Sequence, residues 1–213
     1  MKQNGEKKVH KRKTIPFYQR RGPVLFCKIA GIFAGAMMLA APFFHWRVVW
    51  VKADIRVREG FSLFDVLKYV FGNDFTGKRG MRFLVVGLLV AMIVAALWVL
   101  YFAYRDQLYP DKDRNPSTIG ERFFRKFRLI SHLLPLVLSI GGMIGLQKTT
   151  AYALLYDRME ETYRSWKPLV EGGSGYHDWK LPGLGCILLV VGILLYLISG
   201  CLRYLINTLN EDD

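Results

Sequence analysis

Charge of either sign is missing from four long stretches of this 213-residue chain: residues 29–46, 83–104, 129–147 and 181–202 contain no Asp, Glu, Lys or Arg. Ion- and proton-coupled transport draws on ionisable groups inside such stretches, so a charge-driven pump has no support here. Cysteine is scarce as well. Cys27, Cys186 and Cys201 all lie in or beside the apolar runs, and the segments between runs on the outer side have none. That pattern excludes a disulfide framework and a thiolate metal site. Also missing are HExxH, a glycine-rich phosphate loop and a basic partner near Cys186 or Cys201, which are the usual marks of hydrolytic, nucleotide-binding or thiol chemistry. The chain therefore reads as non-enzymatic, with no catalytic residue, cofactor or metal assigned.

Two polar groupings invite a chemical reading. His132 and Ser139, with Ser131 beside the histidine, share a helical face, but two turns separate them by roughly 10 Å. They suit interhelical hydrogen bonding better than catalysis. His45, His177 and Asp178 are zinc-compatible by type, yet nothing in their spacing is diagnostic.

Hydrophobic residues make up 52% of the chain and gather in blocks. A bilayer-spanning helix needs roughly 20 mostly apolar residues, and four blocks qualify. The expected fold is an all-α membrane protein, a four-transmembrane-helix bundle with a small extracytoplasmic cap of one short strand plus short helices. Its parts are a basic tail (1–23), span 1 (24–46), an outer strand–helix loop (47–80) and span 2 (81–104). A basic inner loop (105–128), span 3 with an outward extension (129–167), an outer loop (168–180), span 4 (181–205) and a tail (206–213) complete it.

The net charge of +13 flanks the spans, as the positive-inside bias requires, and does not form a nucleic-acid face. Lys and Arg are more numerous in the N-terminal tail, the second loop and Arg203 than in the first and third loops. A plasma-membrane protein with both termini cytoplasmic is expected. A cleaved signal peptide is the alternative for span 1, where Ala34-Gly35-Ala36 is a small-x-small site. Gly31 with Gly35, and Gly141 with Gly145, are GxxxG pairs suited to close helix packing. In the inner loop, Arg122, Arg125, Lys126 and Arg128 can reach anionic headgroups while Phe123, Phe124 and Phe127 sink into the interface.

The first outer loop is patterned in a way that a plain connector is not. Val49, Val51, Ala53, Ile55 and Val57 alternate with charged residues, which predicts a half-buried strand, broken at Gly60. Ser62 and Asp65 then form a capping box for a helix with Phe64, Leu67, Val70 and Phe71 on an apolar stripe, ending at Gly72. The third span predicts a helix projecting outward until Pro168, its stripe of Tyr152, Leu155, Met159, Tyr163 and Trp166 turned toward that strand and helix. Leu169-Val170 offers only a weak second strand.

The succession of span, strand, "GFSLFDVL" helix and span resembles uncharacterised small four-span membrane proteins of Gram-positive bacteria, several of which carry Ser-Leu-Phe-Asp in the first outer loop, here Ser62 to Asp65. That resemblance implies a fold plan and no activity. The layout is also similar to that of the claudins, though their paired loop cysteines are absent.

A lone strand needs a neighbour for its backbone groups. The function expected is therefore an accessory, scaffold or interaction subunit of the cell envelope. It would dock a membrane or envelope protein, or a second copy of itself, through Trp50, Val51, Ile55, Val57, Phe61 and Phe64. The alternative is a small channel or transporter component. Expected partners are membrane lipids, including anionic headgroups, and a protein, with no nucleic acid.

Overall fold

The computed structural model describes residues 21–52, 56–73, 75, 77, 79–104, 128–170 and 177–211. They form six α-helices and three strands. Helix α1 is Arg21–Ala40; a 3-10 turn at Ala41–Phe43 with Pro42 in its first positions leads into β1, His45–Lys52. Strand β2, Arg56–Ser62, runs directly into α2, Leu63–Phe71. Helix α3 is Arg79–Tyr104, α4 is Arg128–Gln147, α5 is Thr150–Val170, β3 is His177–Pro182 and α6 is Leu184–Glu211.

Three of these helices are long and apolar enough to cross a membrane, and a fourth crossing results if α4 and α5 count as one bent pair. Helix α1 lies between α6 and α3, and α3 packs on α4. Gly35 makes the α1–α3 contact possible: a Cβ there would stand 2.8 Å from the Leu100 amide nitrogen. Gly192 serves the α1–α6 contact in the same way, against the Ala34 carbonyl and Met38. Ala34 and Met38 of α1, Val85, Met92 and Val99 of α3, and Leu189 and Tyr196 of α6 belong to one buried core.

At one end sits an antiparallel sheet of order β2-β1-β3. The sequence predicts one strand; the described residues form three. The alternating run of residues 48–57 is a hairpin, since period-2 alternation continues on both sides of residues 53–55, which lie outside the described residues. Gly60 does not break the run but lies within β2, opposite Val48. There a Cβ would meet the Arg47 carbonyl at 2.5 Å, near a register shift between His45 and Arg47 that marks a bulge. Leu169-Val170 closes α5 instead of forming a strand, so the helix passes Pro168. The third strand comes from "HDWKLP", too short and irregular to show alternation.

Span 3 also departs from expectation. Helices α4 and α5 meet at 59°. Thr149, 3% exposed, makes the break: its Oγ1 donates to the Leu146 carbonyl (2.6 Å) and accepts from the Tyr152 amide (3.3 Å). One hydroxyl thus closes one helix and caps the next.

Candidate functional site

The cap is where this chain presents its most patterned surface, and its geometry begins at Ser62. The Asp65 amide donates to Ser62 Oγ (3.1 Å), while the Ser62 amide (2.8 Å) and hydroxyl (2.7 Å) donate to Asp65 Oδ2. This reciprocal box satisfies orphan donors of the first turn and fixes where β2 becomes α2. Burial pushes the Asp65 carboxyl up, but the Ser62 hydrogen bonds and Lys68, 3.5 Å away, outweigh it and hold the group below its ordinary value.

Leu63, Val66 and Val70 of α2 are buried, and α2 packs against α3 and α5. Tyr152, Met159 and Tyr163 of α5 are buried too, and α5 packs on β2 and α2, as its stripe leads one to expect; Leu155 is half-buried and Trp166 exposed. On its outer side Arg164 pairs with Glu160 at 3.6 Å, and the Arg158 guanidinium lies 5.0 Å from the Tyr69 ring of α2. The Tyr152 hydroxyl is buried beside the Arg47 guanidinium.

Of the docking residues read from sequence, Trp50 and Val51 lie in β1 and Val57 in β2, while Ile55 lies outside the described residues. Phe61 is 5% exposed and meets Tyr152 edge-on at 5.0 Å, so its side chain belongs to the core. Phe64 is exposed. The unpaired strand expected at 48–57 is not there: β1 is central, with β2 on one side and β3 on the other. Among the described residues the two edges of the sheet are β2, on which α5 packs, and β3, and the β3 edge takes its place.

That edge has a definite polarity. The Gly183 amide donates to the Trp46 carbonyl at 2.8 Å, continuing the β1–β3 register. By alternation, His177, Trp179 and Leu181 aim their backbone groups at β1, and Asp178, Lys180 and Pro182 aim theirs away. Proline therefore stands where its missing N–H costs no ladder bond, as edge strands allow. The junction after β3 crosses closely over the junction before β1. A Cβ at Gly185 would stand 2.5 Å from the Ala41 carbonyl and 2.6 Å from that of Phe44, and one at Gly183 would collide with the His45 carbonyl.

Of the packing glycines, Gly31 is buried on α1, Gly35 faces α3 and Gly145 faces Leu88, whereas Gly141 has open space around it. Gly142, absent from the GxxxG count, packs on Met92 and the Leu88 carbonyl. Arg122, Arg125 and Lys126 lie outside the described residues, and Arg128 begins α4. Ser139 is fully buried with no hydrogen-bond partner for its hydroxyl. His45 is exposed, and no group of three His, Cys, Asp or Glu able to hold a metal occurs among the described residues.

No protein-family model matches the chain, and no curated protein or solved structure matches it. Function has to be argued from the cap itself.

Proposed function

We propose that the chain is a non-enzymatic integral membrane protein, with both termini cytoplasmic, that docks a protein partner through its extracytoplasmic sheet. Three helices long and apolar enough to cross a membrane, and a fourth crossing if the bent pair counts as one span, support membrane insertion by composition. The observation that carries the docking role is the outer edge of β3, with no strand beyond it among the described residues. Extended segments add to such edges, main-chain hydrogen bonds giving affinity and side-chain pockets selectivity. The partner is an extended segment of another envelope protein or the same strand of a second copy. The docking edge thus moves from the first outer loop to the strand that completes its sheet.

Proline substitution tests it. Lys180→Pro removes an outward-facing donor and leaves the β1–β3 ladder intact; Trp179→Pro removes a ladder donor and should disrupt the cap. Native mass spectrometry of the protein in mild detergent should give a stoichiometric partner or a closed oligomer for the wild type. Lys180→Pro should lose that species yet insert normally. Association that survives Lys180→Pro rules out docking at this edge.

A second reading, a small channel or transporter component, draws on Pro135 within α4, the 59° break and the unpartnered Ser139 hydroxyl, because discontinuous helices accompany substrate sites. Liposome flux that Ser139→Ala abolishes would favour it over docking.

A further inference from the structure

Helix α2 exposes residues that a helix facing water does not. Opposite its buried side, Phe64, Lys68 and Phe71 repeat at i, i+4 and i+7, and the two rings are 38% and 58% exposed. The outer face of a water-facing helix is polar; two phenylalanines there call for an apolar phase. Their neighbours say which one. Phe43, in the turn that ends the first apolar helix, lies 5.5 Å from Phe64, centroid to centroid. At the other end the Arg82 guanidinium lies 6.0 Å from the Phe71 ring, and Phe83 beside it is 78% exposed. An exposed aromatic row therefore links the end of α1, the outer face of α2 and the start of α3. Ile29 and Phe33 of α1 and Val90, Val94 and Leu97 of α3 are exposed apolar residues on the helices that the row joins.

Cations accompany the rings. The Lys68 ammonium stands 5.5 Å from the Phe64 centroid, and Arg82 stands over Phe71. Rings at the acyl boundary with ammonium and guanidinium groups at the phosphates are the arrangement a phospholipid interface selects. We propose that α2 lies in the cap-side leaflet of the bilayer, with Phe43, Phe64, Phe71 and Phe83 below the phosphates and Lys68 and Arg82 among them. This placement rests on the chain spanning a membrane. It assigns α2 a purpose: β2 enters the helix directly at Ser62, so the sheet is held at a set height above the leaflet.

Spin labels test the placement. Phe64→Cys and Phe71→Cys are made in a background with Cys27, Cys186 and Cys201 replaced, with Leu97→Cys and Glu161→Cys as references. The proteins are reconstituted in phosphatidylcholine–phosphatidylglycerol vesicles and probed with oxygen and a nickel chelate. Labels at 64 and 71 should favour oxygen, at a depth between those of 97 and 161. Nickel access equal to that at 161 would put α2 in water, and exclusion of both reagents would put it under protein; either overturns the proposal while the membrane reading stands. Nickel access at 97 would remove both. Phe71→Trp in the otherwise native chain gives an independent check, since lipids brominated near the carbonyl end should quench its added emission. No quenching would overturn the placement.

Discussion

Ser62 and Asp65 bind each other so completely that α2 depends on both. Ser62→Ala removes a cap acceptor and should cost about 1 kcal/mol, read as faster amide exchange confined to α2. The pH dependence has a definite sign. The Asp65 pKa is lowered from 3.8, so its contribution is present above about that pH and is lost as pH falls through the lower folded value. Protection of the α2 amides, taken against their intrinsic exchange rates, should fall below about pH 3.8, and Asp65→Asn should abolish that fall. Two glycines make a second pair of tests. Ala is favoured over Gly in a helix by roughly 1 kcal/mol, and Gly141 has room for a methyl, so Gly141→Ala should raise the melting temperature in detergent. Gly35→Ala pushes Cβ to 2.8 Å from the Leu100 backbone, and overpacking of about 1–3 kcal/mol should lower it. Equal shifts for both would mean that α1 and α3 are not packed through Gly35.

Among the elements, the bounds of α2 were the most legible, because a capping box and a stop fall within eleven residues from Ser62 to Gly72 and need nothing distant; its buried face is Leu63, Val66 and Val70, while Phe64 and Phe71 of the expected stripe are exposed. The α4–α5 break was not legible. Nothing in "QKTT" interrupts an apolar-to-amphipathic helix; the bend depends on Thr149 turning its hydroxyl back to Leu146 and forward to Tyr152. Thr149→Val keeps the shape and loses both bonds. It should let α4 and α5 straighten, seen as a longer spin-label distance between Leu133 and Glu161 than in the wild type. An unchanged distance would mean that α5 is held down by β2 and α2 alone. The sheet was half legible. Alternation announced β1 and β2 as one strand, and β3 carried no pattern because its partner is 125 to 135 residues away in the chain (Lys52 pairs with His177 and Arg47 with Pro182).

For the whole molecule, the proposed topology makes a prediction that α6 can test. Cys186 and Cys201 are fifteen residues apart on α6, about 22 Å by helix rise, with Cys186 at the cap end and Cys201 exposed near the other. With both termini inside, a membrane-impermeant maleimide should label Cys201 only after permeabilisation. Labelling of Cys201 in intact cells would invert the protein and place the sheet in the cytoplasm.

Sequence alone determined the apolar helices and the capped α2, since each depends on hydropathy or on side chains within one helical turn. It also marked the amphipathic face of α5, for the same local reason. Only the tertiary structure decided that β1 is central and that β2 and β3 are the edges. Backbone pairing is indifferent to side-chain pattern when a strand is short, so β1 became central once β3, distant in the chain, paired on the side that its hairpin partner β2 leaves free. Tertiary structure also decided that Gly35 and Gly142 are contacts while Gly141 is not, because a glycine's role depends on which helix stands opposite.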